Sequence, residues 1–314
     1  MMEGGVLSRM PPTHGCYGTT DGRTSPTNSC CFAARCWTPI PDNFMDPRTP
    51  DRLRHHFEVE KELATKLRSS TRSERLQLFE TLYAELFERV PDHPRLVRRE
   101  TPEQSRIKVE GQLRLLRPFL RRESTLLEIA PGDCRLAYAA GSLCEKVIGA
   151  DISDQQSAGA EAPANFLLKV YDGYEIDLSD GIADVAFSYQ FLEHLHPDDV
   201  EPHLRLVHRL LKPGGKYVID TPHRFSGPHD ISRFFGDDLV CFHFQEWTFR
   251  SLEQAMKAAG FTGVRVFRGG KYRSSRMLAD INRLAEDTVG LLPPGLRKAI
   301  SCRFYQSVTL VAER

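Results

Sequence analysis

One irregular stretch of the chain gathers side chains able to move protons. It reads Thr221-Pro222-His223-Arg224-Phe225-Ser226-Gly227-Pro228-His229-Asp230, and His243 follows shortly after. Imidazole titrates near neutral pH, so a histidine here suits a general base that takes the proton of a hydroxyl acceptor. His223, His229 and Asp230 are therefore the candidate catalytic residues. Three histidines and an aspartate could also hold a divalent metal, but no metal site is assigned. Structural duties compete for each residue. Asp230 suits the N-cap of a following helix, and His243 between Phe242 and Phe244 suits a hydrogen-bonded core position.

A second set of residues could grip a ligand. Glu128-Ile129-Ala130-Pro131-Gly132-Asp133-Cys134 is a turn of mostly small residues after an apolar run, where backbone N–H groups can approach a ligand closely. Asp151 follows the next apolar run, and a carboxylate there can accept from two ribose hydroxyls. Hydrogen bonds of that charged kind are worth roughly 1.5–3 kcal/mol each. Tyr171-Asp172-Gly173 follows the third run, and its acid can accept from an exocyclic adenine amine. The dinucleotide fingerprint G-x-G-x-x-G is missing, because Ala130, Gly132 and Arg135 stand at its positions. Hydride transfer from a dinucleotide is thereby disfavoured.

The elements that must position these groups follow from periodicity. Residues 1–45 are rich in Pro, Gly, Ser, Thr and Asn without an apolar period, which predicts a disordered N-terminal extension. Met45 is a plausible natural start. From Leu53 to Arg89 the period is helical, with Phe79, Leu82, Tyr83, Leu86, Phe87 and Val90 on one face. A further helix is predicted from Pro102 to about Leu120. Residues 46–101 are read as a helical cap, which either covers the sheet or also roofs the substrate site. From Thr125 the pattern alternates. Strands are predicted at 125–129, 146–150, 165–169, 183–189, 216–220, 263–268 and 305–312, with helices at 249–259 and near 277–291. Such alternation implies a doubly wound α/β sheet, largely parallel. Ligands of these sheets bind beyond the carboxyl ends of the strands.

Four segments in order carry a resemblance: LLEIAPGDCRLA, VIGADIS, DGIADVAFSYQFLEHLHPDD and LLKPGGKYVIDTP. Together they resemble the class I S-adenosylmethionine-dependent methyltransferases over roughly Arg114–Arg314, within a domain read as 102–314. They are most similar to the small-molecule branch, whose two short elements read here Phe191-Leu192-Glu193-His194-Leu195 and Leu211-Lys212-Pro213-Gly214-Gly215. The resemblance implies a Rossmann-like seven-stranded sheet of order 3-2-1-4-5-7-6 with the last strand antiparallel. It implies S-adenosyl-L-methionine as cofactor. Glu128, Ala130 and Gly132 then match the loop for the methionine part and Asp151 the ribose acid. Asp172 and Gly173 match the adenine contact, and Gln190 and Phe191 line the methyl-donor pocket. His194 would pack beneath the cofactor loop. The family loop carries three glycines, and Ala130 and Cys134 replace the first and third.

Composition narrows the partners. Lysine plus arginine and aspartate plus glutamate both number 42, so no single-sign field marks a nucleic-acid partner. A basic lean near Arg98, Arg99, Arg121 and Arg122 fits a solvated helical surface. No apolar run reaches bilayer length, and no apolar stretch follows Arg9 as in a signal peptide. A cytoplasmic protein is expected, with Cys134, Cys144, Cys241 and Cys302 as buried thiols. Cys16, Cys30, Cys31 and Cys36 lack the paired C-x-x-C spacing of a zinc site. The leading expectation is O-methylation of a small metabolite, a sugar or a natural-product scaffold. The alternatives are a non-catalytic scaffold that keeps the fold, motivated by Ala130 and Cys134, and a protein or RNA methyltransferase. The apolar faces of the cap helices suit a homodimer contact or packing on the sheet equally well.

Overall fold

Threonine starts four of the helices. Thr49, Thr71, Thr101 and Thr248 each accept the backbone N–H three residues ahead, and Glu74, Gln104 and Ser251 return the bond to form capping boxes. The computed structural model describes residues 46–97, 100–156, 161–273 and 276–314. The expectations for residues 1–45, including the start at Met45 and the four early cysteines, and those for Arg98 and Arg99, lie outside the described residues.

Helices α1 (Pro50–Arg68), α2 (Arg72–Arg89), α3 (Pro94–Val97) and α4 (Pro102–Leu116) come first. Next are β1 (Thr125–Ile129), α5 (Arg135–Ala140), β2 (Lys146–Asp151), β3 (Phe166–Val170) and β4 (Ala183–Tyr189). A 3-10 turn at Leu192–His194 leads to α6 (Pro197–Leu210) and β5 (Leu211–Pro222). A second such turn, Ile231–Phe234, precedes α7 (Phe249–Ala258), β6 (Thr262–Arg268) and β7 (Lys271–Arg273). Helices α8 (Arg276–Gly290) and α9 (Pro294–Phe304) lead to β8 (Ser307–Glu313).

The sheet runs β3-β2-β1-β4-β5-β8-β6-β7. Its first five strands are mutually parallel, and β8 is antiparallel to both β5 and β6. The expected order therefore holds with one strand added at the edge. Gly269 and Gly270, both left-handed, turn β6 back as a two-residue hairpin and create β7. The single helical period over 53–89 is cut at Ser69 and Ser70, whose hydroxyls bond the carbonyls of Thr65 and Leu67 just before Thr71 caps α2. Helix α9 had no counterpart among the expected elements.

Alternation along the strands feeds two apolar layers. Leu127, Ile129, Ile148 and Ile219 face α6 and α7, where Leu204, Val207, Leu252 and Met256 meet them. Leu126, Val147, Phe187 and Val218 face α4 and α5, against Leu113, Leu116, Leu136 and Ala137. A third cluster differs in kind. Val59, Leu63, Leu67, Leu82, Leu86 and Val90 of α1, α2 and the residue closing α2 pack on Phe242 and Phe244 of the irregular stretch. Among the described residues, no helix is long and apolar enough to cross a membrane.

Candidate functional site

Register sets where the chemistry gathers. Ile129 pairs with Ala150 on one side and with Ser188 on the other, Asp151 pairs with Val170, and Tyr189 pairs with Asp220. The segments following β1, β2, β3 and β4 therefore leave the sheet along one edge. Of the eight residues expected to bind the cofactor, Glu128 and Asp151 stand at the ends of β1 and β2, and Ala130, Gly132, Asp172, Gly173, Gln190 and Phe191 stand on these segments.

The first turn is built from left-handed residues. Ala130, Gly132 and Cys134 have φ of 52°, 55° and 60°. The two positions that depart from the glycine pattern thus adopt the backbone that glycine adopts most readily. Their side chains stay in the protein: Cys134 is buried among Leu136, Ala137 and Phe187, and Ala130 packs on the opposite core layer. Space opens at Gly132, where an added Cβ would meet nothing within 4 Å.

Two acids flank this turn. Asp151 is buried; its Oδ2 accepts the Gly132 N–H at 3.3 Å and its Oδ1 the Ser153 N–H at 3.2 Å. Burial raises its pKa, against the pull of those N–H groups. Glu128 is buried too, with Oε2 lacking any hydrogen-bond partner. Burial first, then the charges of Asp133 and Asp151, push its carboxyl to about 8. Asp172 is exposed, and its Oδ1 accepts the N–H groups of Tyr174 and Glu175, closing a turn around Gly173, whose φ is 89°. Gln190 is also left-handed, at φ 52°, and its amide donates to Asp220 Oδ1 at 2.8 Å. Phe191 packs edge-on to His203.

The three candidate catalytic residues do not share one place. His223 is wholly buried: Nε2 donates to Glu286 Oε1 at 2.7 Å, and Nδ1 accepts the Phe225 N–H at 3.1 Å. Burial lowers its pKa despite the carboxylate partner. As placed, it ties the residue that follows β5 to α8 in the interior. Asp230 spends both oxygens on backbone, Oδ1 on the Ser232 N–H and Oδ2 on the His243 N–H. It is the helix cap its residue type suggested, and it also anchors the His243 segment. His229 keeps 30% of its side-chain surface, with Nδ1 3.2 Å from Glu246 Oε2 and Nε2 3.2 Å from the Ser226 hydroxyl.

Sequence reading missed what surrounds His229. Glu246 is buried between His229 and His243; burial opposes its charge, but the His243 hydrogen bond and the nearby His229 ring outweigh it and hold its carboxyl at about 2. Burial, which would lower the pKa of His243, is outweighed by Glu246 and by the nearby Glu193 and Asp230, so that pKa rises. A Cβ at Gly227 would overlap Glu246, so the close approach of that carboxylate requires glycine. Glu193 is buried, accepts the Thr221 hydroxyl at 2.9 Å, and is pushed by burial to about 7. His194 donates from Nδ1 to the Phe242 carbonyl at 3.0 Å; burial drops its pKa to about 3, so the ring is neutral. No periodic signal marks Glu246 or Glu286. The nearest signal was the histidine spacing itself.

The cap helices reach this edge. Tyr83 of α2 packs on Phe242, Arg95 of α3 lies over the Tyr83 ring, and Arg95 also donates to Gln155, just past Asp151. Phe235 stacks on Phe57 of α1 and Trp247 is buried. Phe234, by contrast, is exposed. Cys134, Cys144 and Cys241 are buried thiols, and Cys302 is half-buried.

Residues 127–219 match the family model described as a methyltransferase domain. No curated protein matches the chain. Among solved structures, the chain is similar to an S-adenosylmethionine-dependent methyltransferase from Archaeoglobus fulgidus, at 18% identity over 67% of this chain and 94% of that one, with a TM-score of 0.46. It is also similar to 1,6-didemethyltoxoflavin-N1-methyltransferase of Burkholderia thailandensis, at 16% identity over 78% and 91%, with a TM-score of 0.48. A third is phosphoethanolamine N-methyltransferase 2 of Haemonchus contortus, at 18% identity over 65% and 51%, with a TM-score of 0.45. The matched methyltransferase domain spans the sheet edge from β1 into β5 that carries the left-handed turn and the Asp151 carboxylate.

Proposed function

We propose that the crevice at the ends of β1 to β4 holds the cofactor and that the acceptor is a small metabolite methylated on oxygen, a sugar or a natural-product scaffold. The observation that carries the reading is the buried Glu128 Oε2 without a partner, beside open space at Gly132. A buried acceptor atom left unmade is costly, and a cationic ligand would satisfy it. When bound, the cofactor supplies a sulfonium methyl, and its transfer is an in-line displacement in which positioning does most of the work.

In this reading the backbone of 130–134 cradles the methionine part, and Asp151 accepts from the ribose hydroxyls. Asp172 and Gly173 border the adenine, while Gln190 and Phe191 border the methyl group. Tyr83 and Arg95 roof the acceptor, which makes residues 46–101 a cap in function. His229, half-exposed and beside Glu246, would take the acceptor's proton. The balanced charge of the chain supports a small acceptor over RNA, and the absence of membrane-length helices among the described residues fits a cytoplasmic protein.

The test is a calorimetric titration with S-adenosylhomocysteine. Asp151→Ala removes two charge-assisted hydrogen bonds, so affinity should fall roughly 100-fold or more. Unchanged affinity would remove the ribose assignment. Donor turnover across a panel of hydroxylated and amine acceptors then reports the atom methylated.

A further inference from the structure

We infer that Glu193, His194 and His243 bind one divalent transition-metal cation beside the methyl-transfer crevice, where an open coordination position takes an oxygen of the acceptor. The acceptor half of this inference rests on the proposed function; the metal half does not.

One donor atom from each of the three residues lies within 4.8 Å of the other two. A tetrahedral ion with bonds near 2.0–2.1 Å sets its ligand atoms about 3.4 Å apart, so small side-chain rotations close the remaining gap. The three come from two segments. Glu193 and His194 share the 3-10 turn after β4, close behind Gln190, and His243 comes from the stretch that the cap helices press down.

Each ring is already oriented as a metal-bound imidazole is. His194 gives Nδ1–H to the Phe242 carbonyl at 3.0 Å, and His243 gives Nδ1–H to Glu246 Oε1 at 2.8 Å. Nε2 of each ring is left as the lone pair. Metal-binding histidines almost always hand their other N–H to a carbonyl or carboxylate in this way, which sets the tautomer and raises ligand basicity. Glu193 spends Oε2 on the Thr221 hydroxyl and keeps its other oxygen. Two imidazoles and one carboxylate form a donor set that binds zinc or ferrous iron and leaves positions open for substrate.

Among the described residues, two other groupings of this kind fail the same scrutiny. In His56–Glu60–His93, Glu60 already bonds His56 Nε2 at 2.7 Å and the Phe242 N–H, and Arg48 bonds the other nitrogen of His56. In Glu60–Asp230–Cys241, both Asp230 oxygens are committed to backbone N–H groups. Of the three, only Glu193–His194–His243 keeps donor atoms to spare on every member.

The experiment titrates Co²⁺ into full-length protein stripped of metal and follows visible absorption, with Zn²⁺ as competitor. One equivalent should bind, with ligand-field bands and no thiolate charge-transfer band. His194→Gln and His243→Gln should each weaken Co²⁺ binding at least 100-fold. Glu246→Gln, acting through His243, should weaken it about 10- to 100-fold, and His93→Gln should leave it unchanged. S-adenosylhomocysteine binding, measured on each variant, shows that it is folded. Should a histidine variant lose that binding, Glu193→Gln replaces it, since the amide keeps the Thr221 contact but not the charge. No stoichiometric uptake, uptake that survives the double histidine change, or a thiolate band would overturn the metal site. If Co²⁺ binds and S-adenosylhomocysteine does not, the metal site stands and the cofactor crevice falls; the reverse result keeps the crevice and removes the metal.

Discussion

Ala130 and Cys134 carry side chains where the backbone is left-handed. A Cβ in that region costs roughly 1–2 kcal/mol, and glycine's extra chain entropy returns roughly 0.5–1 kcal/mol of that. Ala130→Gly should therefore raise stability by up to about 1 kcal/mol in chemical denaturation and leave S-adenosylhomocysteine binding intact. A loss beyond about 1 kcal/mol would mean that the Ala130 methyl contributes packing that outweighs its backbone strain. Cys134 is a poorer position for the same change, because its thiol fills core space. His223 makes the opposite case. Its ring is locked between Glu286 and the Phe225 N–H, so His223→Ala removes one partner of a buried pair and should cost about 3–5 kcal/mol. Cofactor affinity of the surviving folded protein should not change. A variant of normal stability that had lost turnover would return His223 to the reaction.

Helices α1 and α2 dock on the segments that carry the candidate site. Arg75 of α2 pairs with Asp199 of α6 at 2.7 Å, with both side chains almost fully buried, and also reaches the Tyr174 hydroxyl. Burial opposes the charge of Arg75, but its bonds to Asp199 and Tyr174 outweigh that and raise its pKa. Arg75→Ala leaves Asp199 buried without its cation, so stability should fall by about 3–5 kcal/mol. The melting temperature of the full chain reads this directly. A change under about 1 kcal/mol would mean that water reaches Asp199 and that the helices dock through their apolar faces alone. That apolar docking runs through Leu63 and Leu86 onto Phe242 and Phe244, so the irregular stretch is held by the helices as well as by its backbone bonds to Glu193 and Pro222.

Across the whole molecule, buried neutral histidines make stability depend on acidity. His203 of α6 lies in the core with Nε2 3.2 Å from the Tyr217 hydroxyl, and burial lowers its pKa to about 4. Below the ordinary value of 6.5 the unfolded chain takes up a proton here that the folded chain refuses. The folded state therefore loses stability as pH falls from about 6.5 toward 4, and loses nothing from this group above 6.5. At about 1.4 kcal/mol per pH unit, the loss by pH 4.5 is about 2–3 kcal/mol. His203→Gln keeps a polar partner for Tyr217 and cannot titrate. The stability difference between wild type and this variant should shift by that amount between pH 7 and pH 4.5, and a flat difference would mean that solvent reaches the ring.

The order of helices and strands, the doubly wound sheet and the turn after β1 were legible in the chain. They follow from local patterns: apolar periods, threonine caps and small residues after strands. The positions of the eight cofactor candidates in the fold were legible for the same reason, since each stands within a few residues of a strand end. What local pattern could not carry is pairing across the chain. Glu286 reaches His223 from 63 residues away, and the Phe242 N–H finds Glu60 across 182. The edge strand β7 escaped because three residues after two glycines, with only Tyr272 among them partly buried, carry little apolar signal. Whether a histidine faces a crevice or the core depends on which helix covers it, and that is decided only when the layers pack.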